Sequence, residues 1–219
     1  MSFSFKKILY LAVFIGVPAA HAGAYEDFFQ AVRQDDADAV QALLARGFDP
    51  NTLDSQGRSG LFLALGTHSL KVAQALLDAP KIDVETRDKQ DESPLMMAAL
   101  KGELAMAQQL IAKDADINKP GWTPLHYAAT GGHDAIVSLL LEHSAYIDAA
   151  SPNGTTPLMM AALYGKTATV RLLLEQGADP ALKNQQGLTA IDFAQRGHRP
   201  DAVQLITQAI RARQPKGTW

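Results

Sequence analysis

The chain has 219 residues, 47% of them hydrophobic and 20% charged, with a formal net charge of −3. That is the balance of an ordinary soluble globular protein with room for one domain or two. No basic face is evident, which argues against nucleic acid as a partner, and the absence of cysteine removes disulfides and thiolate metal sites from consideration.

Residues 1–22 read MSFSFKKILYLAVFIGVPAAHA. Lys6 and Lys7 form a positive head, Ile8 to Ala20 is apolar, and Ala20-His21-Ala22 puts small residues where a signal peptidase inspects the chain. A membrane anchor needs about 20 apolar residues, so a cleaved signal peptide is expected at 1–22. No cysteine follows it to carry a lipid. The short two-lysine head has a bacterial character and predicts a periplasmic protein, with secretion as the alternative. Cleavage removes two lysines and no acid, taking the net charge from −3 to −5. No membrane association is expected after it. A sequon, Asn153-Gly154-Thr155, would suit a eukaryotic secretory route. Asn-Gly is also the favoured pair of a tight turn, and a turn is the expectation.

From Tyr25 onward the chain repeats itself. The segments SGLF (59–62), SPLM (93–96), TPLH (123–126), TPLM (156–159) and TAID (189–192) start 34, 30, 33 and 33 residues apart. Five residues after each start stands an alanine: Ala64, Ala98, Ala128, Ala161 and Ala194. Nine residues after three of them stand Gly102, Gly132 and Gly165. Leucine-rich runs follow, from VQALLARG through VRLLLEQG to VQLITQAI.

Each unit predicts two helices. Ser or Thr caps the first by accepting a backbone N–H, and the next residue, often Pro, suits the first helical position. The leucine and alanine face neighbouring units, and the glycine ends the helix in a left-handed conformation. The leucine run makes the second helix. Six units are expected, at 25–54, 55–88, 89–120, 121–151, 152–184 and 185–214, within one domain over 23–214 and followed by a short tail at 215–219. Polar residues mark both outer units: Glu26, Asp27, Arg33, Gln34, Asp35 and Asp36 in the first, and Gln195, Arg196, His198, Gln204 and Gln208 in the last. They fit caps, so a complete array is expected.

TPLHYAATGGHDAIVSLLLEHSA and TPLMMAALYGKTATVRLLLEQGADP closely resemble the ankyrin repeat family, over essentially the whole chain after the leader. The resemblance implies an all-α solenoid of about six helix–turn–helix repeats joined by β-hairpin-like turns. It implies that His126 holds a turn by hydrogen bonding and that His133 is a structural position. It also implies a protein partner, bound on a concave surface made by the turns and first helices.

Catalysis finds no candidate residues. No Gly-x-Ser-x-Gly, Gly-x-Gly-x-x-Gly or Walker-type loop occurs. No two histidines have the i, i+4 spacing of a helical zinc site. No metal or cofactor is expected.

Concave positions fall one residue before each Ser/Thr start and four, seven and eight after it, the last three on one helical face. They include Arg58 in the second unit and Met97, Leu100 and Lys101 in the third. The fourth supplies Trp122, Tyr127 and Thr130, and the fifth Thr155, Met160 and Tyr164. Aromatics and methionine on one exposed stripe are typical of binding hot spots, so Trp122, Tyr127, Met97, Lys101, Met160, Tyr164 and Arg58 form the candidate protein-binding face. Met160 could equally pack between adjacent helices.

Beside Trp122 the spacing breaks. Asp49–Ser59, Asp83–Ser93, Tyr146–Thr156 and Asp179–Thr189 are each ten residues apart, whereas Asp116–Thr123 is seven. Asn118 to Gly121 is a trimmed finger, expected to leave a notch that uncovers the indole. The function expected is a monomeric, non-enzymatic binding protein that supports or protects a periplasmic enzyme, such as a catalase in oxidative defence. The alternatives are an immunity protein against a periplasmic toxin and, more remotely, an enzyme of unknown class.

Overall fold

The computed structural model describes residues 19–213. The expected leader falls outside them except for residues 19–22, and the expected tail at 215–219 lies outside them entirely. Helices α1 (Ala19–Gln34) and α2 (Ala37–Ala45) form the first pair, α3 (Gly60–Gly66) and α4 (Leu70–Leu77) the second, and α5 (Pro94–Lys101) and α6 (Leu104–Ala112) the third. The next pairs are α7 (Pro124–Gly131) with α8 (Asp134–Glu142), α9 (Pro157–Leu163) with α10 (Thr167–Glu175), and α11 (Ala190–Arg196) with α12 (Pro200–Arg213). First helices pack on first helices and second helices on second helices along the array. The described residues contain no strand, only an isolated antiparallel bridge between Leu53 and Ser59. This is the all-α solenoid expected. No described helix is long and apolar enough to cross a membrane.

Local chemistry sets each helix start. Ser93 Oγ accepts the Met96 N–H at 3.3 Å while Met96 Sδ accepts the Ser93 N–H at 3.3 Å, and Thr156 and Met159 repeat the exchange at 3.4 Å each way. Orphan donors at the helix end are thereby satisfied reciprocally. Pro94, Pro124 and Pro157 open their helices. The alanine column is fully buried at every position, because only a methyl group lets adjacent first helices approach. Gly102 (φ 80°) and Gly132 (φ 68°) end α5 and α7 in the left-handed region. Gly165 departs from expectation. Helix α9 is capped by Tyr164 at φ −120°, and a Cβ on Gly165 would lie 2.4 Å from the Ala129 carbonyl oxygen. Glycine is needed there for close approach to the preceding unit.

Four fingers share one turn. In each, the N–H of Asp54, Asp88, Ser151 or Asn184 donates to the carbonyl four residues on, and its own carbonyl accepts the N–H three residues on. The side chain of that residue also accepts nearby backbone N–H groups. The Asn153-Gly154 pair forms a turn as expected, with Gly154 at φ 76°.

A second device joins one finger to the next. Asn51 accepts the Asp83 N–H at 2.8 Å, Glu85 the Asp116 N–H at 2.7 Å, Asn118 the Tyr146 N–H at 2.8 Å and Asp148 the Asp179 N–H at 3.0 Å. Asn51 and Asn118 also donate to Lys81 O and Ser144 O. Asn118→Leu leaves both backbone groups of the neighbouring unit without their protein partner, at a cost of about 1 kcal/mol for this solvent-accessible junction. The urea midpoint should fall accordingly, and Asn118→Asp, which keeps the acceptor, should recover about half of the loss.

Candidate protein-binding groove

Stacking of the first helices brings residues of three units together. Leu100 from α5, Trp122 just before α7, His126, Tyr127 and Thr130 from α7, and Met160 from α9 line an open groove of about 250 Å³. Trp122 is half-buried, its ring edge-on to the His126 imidazole with centroids 5.2 Å apart.

His126 is fully buried. Its Nδ1 accepts the Thr123 N–H at 3.2 Å and lies 2.9 Å from the Thr123 hydroxyl, while Nε2 lies 2.9 Å from Thr155 O. Because Nδ1 accepts the backbone N–H, the ring proton sits on Nε2 and donates to Thr155 O. Burial lowers the His126 pKa to about 4, and the positive charge of Lys119 acts in the same direction. The imidazole is therefore a neutral strut between the fourth and fifth units. The same contact corrects one expectation: Thr155, assigned to the concave surface, is buried beneath His126.

Tyr127 is half-buried and donates its hydroxyl proton to Glu92 Oε1 in the preceding finger. Burial, reinforced by the Glu92 carboxylate, raises its pKa above the ordinary tyrosine value. Thr130 donates to His126 O at 2.7 Å. The donor protons of these three side chains are all spent inside the protein, so the groove offers an incoming group mainly apolar surface.

The trimmed finger has its own solution to the missing turn. Its two residues between Asn118 and Gly121 replace five between Asn51 and Gly57 in the second unit, and the residue equivalent to Asp54 is gone. Lys119 takes over, with only 3% of its surface exposed. Its ammonium donates to Pro120 O at 3.2 Å, to Trp122 O at 3.1 Å and to Asp91 Oδ2 at 2.6 Å. Three donors meet three acceptors. The Lys119 contact and the neighbouring Arg87 hold the Asp91 carboxyl below its ordinary pKa. Arg87 also reaches Glu85 at 3.1 Å and Asp116 at 3.3 Å, tying the trimmed finger to the one before it.

Of the seven candidate residues, Trp122, Tyr127 and Met160 meet in the groove. Met97 is half-buried and lies toward α3, its sulfur 3.6 Å from where a Gly66 Cβ would stand. Lys101 is exposed at the end of α5, directly after the groove residue Leu100. Tyr164 is 61% exposed at the end of α9. Arg58 is outside the groove and paired with Asp54, two bonds of 2.7 and 2.8 Å holding its guanidinium to one carboxylate oxygen. Other polar contacts at unit junctions are structural: His133 Nε2 lies 3.0 Å from Leu100 O, and His68 Nδ1 lies 2.5 Å from Glu103 Oε1. Among the described residues no cluster of three His, Asp or Glu side chains is placed to hold a metal ion.

The chain is similar to YahD of Escherichia coli, described as a putative ankyrin repeat protein, at 32% identity over 121 residues; these are 54% of this chain and 60% of that protein. In another curated relative, rat ankyrin repeat and SAM domain-containing protein 6, the matched stretch is 12% of the protein at 32% identity. Among solved structures, a chain in the complex of a Bdellovibrio bacteriovorus predatory endopeptidase with an immunity protein matches with a TM-score of 0.72 and 27% identity, over 84% of this chain and 97% of that one. An ankyrin repeat domain from Acinetobacter baumannii matches with a TM-score of 0.69 and 26% identity, over 83% and 96%. The family model described as ankyrin repeats in three copies matches residues 28–120, 80–151, 108–184 and 145–214. Six stacked helix pairs, the Thr-Pro-Leu-His start and these matches agree: the chain belongs to the ankyrin repeat family, a fold of protein–protein interaction modules.

Proposed function

We propose that this protein is exported to the periplasm and there binds another protein through its concave face, without catalysing a reaction. The observation that carries the reading is the groove beside the trimmed finger, where Trp122, Tyr127 and Met160 present apolar surface in a protein otherwise rich in exposed polar side chains. Aromatic anchors in partly desolvated pockets dominate binding energy in such interfaces. A Trp122→Ala, Tyr127→Ala double variant should weaken a partner recovered from periplasmic extract at least tenfold, about 1.4 kcal/mol or more. Full affinity in a folded double variant, checked by circular dichroism, would remove the groove from the interface.

Export rests on the leader alone. Cleavage after Ala22 predicts a mature protein beginning at Gly23, and intact mass of the periplasmic form is the check. Two readings describe what binding does. In one, the protein supports or protects an enzyme of the same compartment, for example in oxidative defence. In the other it neutralises a periplasmic toxin, and this is favoured by the likeness, over 84% of the chain, to a chain in an endopeptidase–immunity protein complex. Activity of the recovered partner, assayed with an equimolar amount of this protein, separates them: it is preserved in the first case and abolished in the second.

A further inference from the structure

We infer that the groove is a socket for one large apolar side chain on an extended segment of the partner, with a carboxylate close to it in sequence that pairs with Lys101. The inference rests on the concave-face reading above and narrows it to a kind of partner. The volume is the first support: an apolar cavity of about 150 Å³ is enough for benzene, and this groove has about 250 Å³, room for one phenylalanine, leucine or tryptophan side chain rather than a flat protein surface. The walls are the second. Leu100, Trp122 and Met160 are apolar, and His126, Tyr127 and Thr130 have already committed their protons to Thr155 O, Glu92 and His126 O. Apart from the Trp122 indole N–H, a polar group entering would lose water without finding a donor.

The rim supplies the third support. Eight residues after the helix starts, Lys101, Gly131 and Tyr164 form a row across the third, fourth and fifth units. Gly131, half-buried against His133 and Leu100 O, puts no side chain between an exposed cation and an exposed phenol. Two nearby basic groups, Lys119 of the trimmed finger and Arg87 of the one before it, are occupied, Lys119 by Asp91 and Arg87 by Glu85, Asp91 and Asp116. Lys101 makes no ion pair among the described residues and lies directly after Leu100 of the socket wall. A carboxylate on the incoming segment complements it.

A display library of random peptides, panned against the full chain, tests this. Enriched peptides should share one Phe, Trp, Leu or Met with Asp or Glu within two or so positions. A synthetic copy should lose at least tenfold in affinity to Thr130→Met, which fills the socket, and to Met160→Glu, which leaves the Thr130 bond to His126 intact. Lys101→Glu should weaken it several-fold, and Gln108→Ala on α6 should change nothing. Failure to enrich such peptides, or equal binding to both blocked variants, overturns the inference. So does a dimer of the full chain that sediments as such and dissociates in Thr130→Met, because the occupant is then a second copy. A photo-reactive residue at position 164 separates this failure from that of the broader reading. If the native partner cross-links there and ignores Thr130→Met, the socket falls and the concave face stands. If it cross-links only from position 108, both fall.

Discussion

Acidification from about pH 7.5 to about pH 4 should cost the folded protein about 3 kcal/mol through His126 alone. The cause is burial. In the unfolded chain this imidazole takes up a proton near its ordinary pKa of 6.5, whereas in the fold it does so only near 4, because an imidazolium there would be desolvated and Nδ1 would have to surrender the Thr123 N–H. Between the two values the unfolded state holds more protons, so stability is complete above about pH 6.5, falls as the pH drops, and levels off below about pH 4. At about pH 5.5 roughly 1.4 kcal/mol should be gone. The array itself supplies the control, since Met96 and Met159 fill the equivalent position and accept the same backbone N–H. His126→Met should lose about 1 kcal/mol at neutral pH for the missing bond to Thr155 O, and should lack this contribution to the acid loss. Urea unfolding of both proteins at matched pH gives the difference. A difference that is constant with pH would show that His126 titrates alike in both states.

The fold was legible because its signals are local. A Ser or Thr cap, a proline at the first helical position and a terminal glycine act within one helix, and they recur at nearly constant spacing. The spacing also placed Trp122, Tyr127 and Met160 together, because in a solenoid residues about 33 apart become neighbours. What the sequence did not disclose were contacts between units whose chemistry changes from copy to copy. Asn51, Glu85, Asn118 and Asp148 perform one task with three residue types, so no column of identical letters marks them. Gly165 looks like its helix-ending counterparts, yet answers to the Ala129 carbonyl of another unit. Arg58 occupies a concave register position but is claimed by Asp54 within its own turn, a pairing that periodicity does not reveal. Lys119 was the deepest omission: a lysine in a loop reads as solvated, and only the geometry of the shortened finger shows why this one is enclosed.

Replacing that lysine should be among the more damaging single changes outside the apolar core. Lys119→Met keeps the length of the side chain and removes its three donors, leaving the carbonyls of exposed Pro120 and half-buried Trp122 without a protein partner. At about 1–3 kcal/mol for an unsatisfied buried group, and less for the carbonyl of exposed Pro120, a loss near 2 kcal/mol is expected. Asp91 adds little to this, since its side chain is 60% exposed and water can solvate its carboxylate. Asp91→Asn should therefore cost well under half as much as Lys119→Met in urea unfolding, and equal losses would place the stabilisation in the ion pair instead. The decisive variant exchanges Lys119-Pro120 for Thr52-Leu53-Asp54-Ser55-Gln56 of the second finger, restoring the full-length turn and the aspartate that caps it. If the lysine substitutes for missing turn chemistry, this graft should regain most of the stability lost in Lys119→Met. If the missing residues also keep the socket open, the same graft should bind the partner and the selected peptides at least tenfold more weakly. A graft that is stable and binds normally would detach the short finger from function and leave it as a tolerated change of loop length. Stability and affinity that move in opposite directions would show that the trimmed turn gives up backbone hydrogen bonding to expose Trp122, with Lys119 making that exposure tolerable.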